Sequence, residues 1–148
     1  MSASPRLYKR PQSVLIVVHT TDGQFLLLER IGVVFWQSVT GSLRWPDETP
    51  AQAAMRELAE ETGITDTTSL RDCNKTFEFS ILPEYRARYA PGVETNTEYL
   101  FSLELPRVMD VTINTHEHSR YIWANADEAR EKVWSWSNRE AIDLIIGA

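Results

Sequence analysis

The stretch Thr49 to Gly63, TPAQAAMRELAEETG, constrains this chain more than any other. Both ends of a helix are written into it. Thr49 supplies an N-cap side chain, Pro50 suits the first helical position, and Gln52 completes a capping box. Gly63 fits the position just past the last turn. Between these limits Glu57, Glu60 and Glu61 crowd together. At about 100° per residue they share an arc of roughly 100°, beside an arc carrying Ala51, Ala54, Met55, Leu58 and Thr62. Like charges four apart cost an isolated helix about 0.2–0.5 kcal/mol per pair. A solvated acidic face is one reading. The other is a bound divalent cation, since a hard ion with oxygen ligands turns repulsion into coordination. Arg56 sits among the carboxylates, where it can hold one in place, and the turn from Gly41 to Glu48 leads straight into the helix.

The rest of the chain supplies strands. Ser13 to Thr20 is apolar and β-branched, a central strand, and Thr21-Asp22-Gly23 turns it into a second, Gln24 to Glu29. Trp36 to Leu43, Lys75 to Leu82, Glu98 to Leu105 and Arg120 to Trp123 also read as strands. The connection through Arg86, Arg88, Pro91 and Gly92 is polar. Asp127 to Lys132 and Asn138 to Ile146 read as helices, the second amphipathic. Many strands with few helices in mixed order predict an α/β or α+β sandwich, and the absence of linkers or repeats predicts one domain over 1–148.

The net charge of −6 argues against nonspecific nucleic-acid or anionic-membrane binding, while leaving room for a metal-bridged anionic ligand. A single cysteine, Cys73, permits no internal disulfide and points to a reducing cytoplasm. The apolar run Val14 to Val18 is too short for a signal-peptide core or a membrane span. A monomer is the expectation.

From Gly41 to Ile64 the sequence resembles the Nudix box. That pattern is Gly, five residues, Glu, seven residues, then Arg-Glu-hydrophobic-x-Glu-Glu-x-Gly-hydrophobic. Gly41, Glu48, Arg56, Glu57, Leu58, Glu60, Glu61, Gly63 and Ile64 fill its places in order. One departure stands out: six residues separate Gly41 from Glu48, as if one had been inserted in the Arg44-Trp45-Pro46-Asp47 loop. The segments YKRP (Tyr8 to Pro11), FWQSVTGS (Phe35 to Ser42), RYAPGV (Arg88 to Val93) and SWSNR (Ser135 to Arg139) narrow the resemblance. They are similar to the bacterial branch of the family that acts on dihydroneopterin triphosphate in folate synthesis.

The resemblance implies an α/β/α sandwich with a mixed central sheet. It also implies Mg²⁺-dependent release of pyrophosphate from a small-molecule triphosphate, with Mn²⁺ a possible substitute. Glu57 and Glu61 are the expected metal ligands, joined by Glu117 as a further ligand or base. Glu60 either joins them or holds a water on the metal, and Arg56, Glu60 and Glu117 form the expected catalytic set. Lys9 and Arg30 are candidate phosphate-binding cations. Thr40, Phe79, Ser80, Ile81, Leu82 and Ser135 match substrate-contacting places. Alternation alone reads Phe77, Phe79 and Ile81 as core. Trp134 and Trp136 could stack on the ring of the substrate, although packing is the commoner role of a tryptophan, and Arg86 and Arg88 could touch phosphates, although a solvated loop is the simpler reading. His116 and His118 are read as non-ligands, because carboxylates facing phosphates prefer a hard ion. The alternative activities are a broader nucleoside triphosphate pyrophosphohydrolase, acting for example on dATP or an oxidised nucleotide, and a non-catalytic ligand sensor.

Overall fold

The apolar run at the start of the chain becomes the axis of a seven-stranded mixed sheet in the structure, a computed structural model that describes residues 8–33 and 35–147. β1 (Gln12–Thr20) pairs in parallel with β6 (Thr95–Leu105), and antiparallel with β2 (Gln24–Arg30) and β4 (Val39–Ser42). β2 also pairs with β3 (Trp36–Gln37) and β7 (His118–Asn125), while β5 (Leu70–Ser80) lies outside β6.

β1 is apolar at successive positions because both of its faces are covered. Val14, Ile16 and Val18 pack with Ala53, Ala54 and Leu58 of α1 (Pro50–Thr62). Leu15 and Val17 pack on the other side with Ala129 of α2 (Ala126–Lys132) and Ala141 and Ile142 of α3 (Trp136–Gly147). Helices on both faces of a mixed sheet make the expected α/β/α sandwich.

The start and stop of α1 are as the sequence predicts. The Thr49 hydroxyl accepts from the Gln52 amide, Gln52 reaches back to the Thr49 amide, and Gly63 closes the helix at φ 76°. Its packing face is displaced from the predicted one. Ala51 and Met55 are exposed, and Ala53 takes their place. The turn is large enough to bury Glu57 and Glu61 at the border of the core, leaving Glu60 exposed.

Other elements also differ from the expectation. The strand expected from Trp36 to Leu43 is two strands, broken at Ser38, whose amide donates to Asn138 Oδ1 and whose hydroxyl accepts from Asn138 Nδ2. The halves then pair with different neighbours, β3 with β2 and β4 with β1. β5 begins at Leu70, and Asn74 at φ 52° marks a register shift within it. Pro83–Arg88 forms a 3₁₀ turn inside the polar connection. β7 begins at His118, two residues before the predicted start, and this brings His118 inside.

Candidate active site

Arg56 is the hub of the acidic helix face. Its guanidinium grips Glu48 with two hydrogen bonds, Nε to Oε2 at 2.7 Å and Nη2 to Oε1 at 2.8 Å. Nη1 donates to Glu57 at 2.8 Å and Glu60 at 3.2 Å, and Nη2 also reaches the Ser42 carbonyl. Arg44 adds a second cation on Glu60 at 3.0 Å. Much of the repulsion among the carboxylates is therefore offset by arginine, in a planar, bidentate geometry that lysine does not supply.

Gly41 explains itself at this point. A Cβ there would lie 2.2 Å from Oε1 of Glu57 and 2.3 Å from its carboxyl carbon. The Glu57 carboxylate thus rests on the bare backbone of β4. Burial, only partly opposed by Arg56, pushes the Glu57 carboxyl up to about 7.

A second group lies deeper. Glu61, Glu117 and His118 offer ligand atoms within 4.8 Å of one another. Nδ1 of His118 is 2.6 Å from Oε2 of Glu61, yet neither atom has a well-directed hydrogen-bond partner, nor has Nε2 of the same imidazole. Burial raises the Glu61 carboxyl, but its contacts with His118 and Glu117 outweigh that and hold it below its ordinary value. Glu117 is pushed the other way, by Glu61 first and then by burial. Buried polar atoms are rarely left without partners. Orphaned oxygen and nitrogen atoms of Glu61 and His118, beside the further carboxylate of Glu117, fit a divalent cation. His118, read from sequence as a non-ligand, is a buried neighbour of Glu61; a strand predicted only from Arg120 left it in a loop, so no sequence signal pointed to it.

The carboxylates open onto a cavity of about 900 Å³. Most of the predicted site residues line it: Arg56, Glu57, Glu60 and Glu117 from the acidic group, the cations Lys9 and Arg30, and Thr40, Ser135 and the stretch Phe79 to Leu82. Glu61 lies behind them, 1% exposed. Partial burial, then Arg88 and Arg30, lowers the Lys9 pKa, so three cations share one region. Arg88, predicted to be solvated loop, lines this cavity, whereas Arg86 turns to the Ile81 carbonyl. Alternation misled in part on β5: Phe77 and Ile81 are buried, but Phe79 is half-buried and faces the cavity. Trp134 and Trp136 are not buried packing. They are 48% and 51% exposed, at the cavity wall. Sequence reasoning also missed Ser13, Asn96, Glu98 and Asn138, polar residues that line the cavity.

Compared with known proteins, the sequence matches the NUDIX domain over residues 9–145. The chain belongs to the Nudix family. It is 43% identical to the dihydroneopterin triphosphate diphosphatase of Escherichia coli (strain K12) over 146 residues, 95% of each chain. It is 40% identical to the enzyme of that name from Haemophilus influenzae, over 91% of this chain and 87% of that one. The structure superposes on that of the E. coli dihydroneopterin triphosphate pyrophosphohydrolase with a TM-score of 0.87, at 44% identity, covering 96% of this chain and 99% of the other.

The extra residue in this Nudix box is absorbed without disturbing the helix. The loop turns through a cis Trp45–Pro46 bond, and Arg10 ties the carbonyls of Arg44 and Glu48 together at 2.7 and 3.0 Å. Glu48 caps the loop through the Arg44 amide and still reaches Arg56 with both oxygens. As a Nudix hydrolase the chain is an enzyme of a family that works with a divalent metal. Among the described residues, no helix is long and apolar enough to cross a membrane.

Proposed function

We propose that the chain hydrolyses 7,8-dihydroneopterin 3′-triphosphate to the monophosphate and pyrophosphate, with Mg²⁺ as the working metal, as a step of folate biosynthesis. One observation carries this reading: a single cavity joins a cation-flanked carboxylate cluster to a compartment lined by the polar Asn96 and Glu98 and the aromatic Phe79 and Trp136. The identity to two enzymes named for that substrate supports it.

Glu57, Glu61 and Glu117 would hold the metal. When bound, it neutralises phosphate charge and lowers the cost of deprotonating the attacking water. The chain's own residues do the rest. Lys9 and Arg30 bind the outer phosphate oxygens. Arg56 fixes Glu57 and Glu60 by direct hydrogen bonds, so the carboxylates are placed before the substrate arrives. Thr40 and Ser135 supply hydroxyls along the wall, and Phe79 to Leu82 border the ring. Water forms the new P–O bond as the α–β anhydride P–O bond breaks. The proton it loses passes to a carboxylate oxygen of Glu60 or Glu117, the two acids open to solvent. The enzyme works as a monomer, and one free cysteine suits a reducing cytoplasm.

The test is pyrophosphate release with Mg²⁺, run side by side on dihydroneopterin triphosphate and the common nucleoside triphosphates. A much higher kcat/KM on the pterin is expected. Comparable rates on dATP would make the protein a broader nucleoside triphosphate pyrophosphohydrolase, and binding without turnover would make it a ligand sensor.

A further inference from the structure

The floor of the cavity holds two acceptors that no partner among the described residues uses. Asn96 and Glu98 sit two apart on β6, so their side chains leave the same face of the sheet. Both line the cavity, and both are more than nine-tenths buried. Oδ1 of Asn96 and Oε1 of Glu98 nevertheless have no hydrogen-bond partner. The Asn96 amide is fixed, since its Nδ2 donates to Oγ of Ser13 at 2.8 Å and leaves Oδ1 as the free end. Glu98 has one helper, the Ser137 hydroxyl at the start of α3, and no lysine or arginine among the described residues pairs with it.

A buried carboxylate so poorly satisfied is costly to the fold. Chains keep such groups where a ligand completes them. The free atoms are acceptors, so the ligand must bring donors. A carboxylate takes two adjacent N–H groups at once. Few rings of biological triphosphates present such a pair. The 2-amino-4-oxopyrimidine ring of pterins and guanine does, with a ring N–H beside an exocyclic amino group. Adenine and cytosine instead place a bare ring nitrogen beside their amino group, and a carboxylate repels that nitrogen. The aromatic walls, Phe79 and Trp136, offer faces for a flat ring.

We infer that Glu98, assisted by Asn96, is the specificity residue of this enzyme, its carboxylate accepting from the ring N–H and amino group of a 2-amino-4-oxopyrimidine ring. The inference rests on the pterin reading for its natural substrate, but its own content is a preference for that edge over adenine's. Glu98 lies on the α3 side of the sheet, beside Ser137, whereas the acidic helix packs on the other face, so it acts on ring binding and not on the phosphates.

The experiment compares the whole enzyme with Glu98→Gln on dihydroneopterin triphosphate, dGTP and dATP with Mg²⁺. Glutamine keeps the shape but replaces one of the two acceptor oxygens with a donor NH₂. The expected result is a rise in KM for the pterin and dGTP, with kcat/KM down about 10–100-fold, while dATP holds or gains. An unchanged pterin-to-dATP ratio, or an equal loss on all three, would overturn the assignment. A wild-type enzyme that ignores the pterin but turns over nucleotides would overturn the substrate reading alone, and the dGTP-to-dATP ratio would then judge Glu98. Calorimetric binding of dihydroneopterin and adenosine monophosphates to both proteins reads the same ratio without turnover, and equal changes there would also overturn it.

Discussion

Adding one methyl group to Gly41 tests whether the Glu57 carboxylate must rest where it does. In Gly41→Ala the new Cβ meets Oε1 of Glu57 at 2.2 Å, against the 3.4 Å at which ordinary contact begins. The carboxylate must retreat by roughly the difference, a little over 1 Å, and its 2.8 Å hydrogen bond to Arg56 must stretch or break. The fold has little reason to notice. The clash is with the end of a side chain, and alanine in a strand gains about 0.5–1 kcal/mol over glycine. The site has every reason to notice, because a displacement of about 1 Å in a positioned group can cost about 100-fold in rate. The expected outcome is a melting temperature within a few degrees of wild type, with kcat/KM down about 100-fold. The assay is pyrophosphate release over a range of Mg²⁺, with thermal unfolding of the same preparation. Activity within about threefold of wild type at limiting Mg²⁺ would refute the reasoning, since Glu57 would then work from another position.

Three further outcomes are expected. Glu57→Gln should keep its thermal stability, judged by unfolding, and lose nearly all turnover; normal turnover would remove Glu57 from the metal ligands. His118→Ala takes away the imidazole beside Glu61, and should weaken Mn²⁺ binding about 10–100-fold in a spectroscopic titration. Glu98 sets a pH dependence of stability. Burial pushes its carboxyl from 4.5 to about 7, so the folded state holds the proton more tightly than the unfolded one. Its contribution is fully present below about pH 4.5 and is lost as pH rises through about 7. Glu98→Gln removes that loss, and urea unfolding should find it more stable than wild type by about 3 kcal/mol at pH 8, narrowing to under about 1 kcal/mol at pH 5.

The sequence by itself determined the helix and its limits, because Thr49, Pro50, Gln52 and Gly63 act within a few residues of one another. It determined the run of β1, since a strand covered on both faces must be apolar at every position. It named the acidic cluster, whose spacing is local to one helix. Tertiary structure decided everything that depends on what lies across the chain. Glu57 is buried because β4 brings Gly41 against it. His118 turned from loop residue to the neighbour of Glu61 because β7 starts two residues early and pairs with β2. Ser38 splits a strand because Asn138, a hundred residues away, takes both its amide and its hydroxyl. Trp134 and Trp136 could pack or stack as far as sequence tells, and the turn into α3 leaves them at a cavity wall. Asn96 and Glu98 carry no local signal at all. Their unpaired acceptors exist only once β5, β6 and α3 have closed around a space that none of them encloses alone.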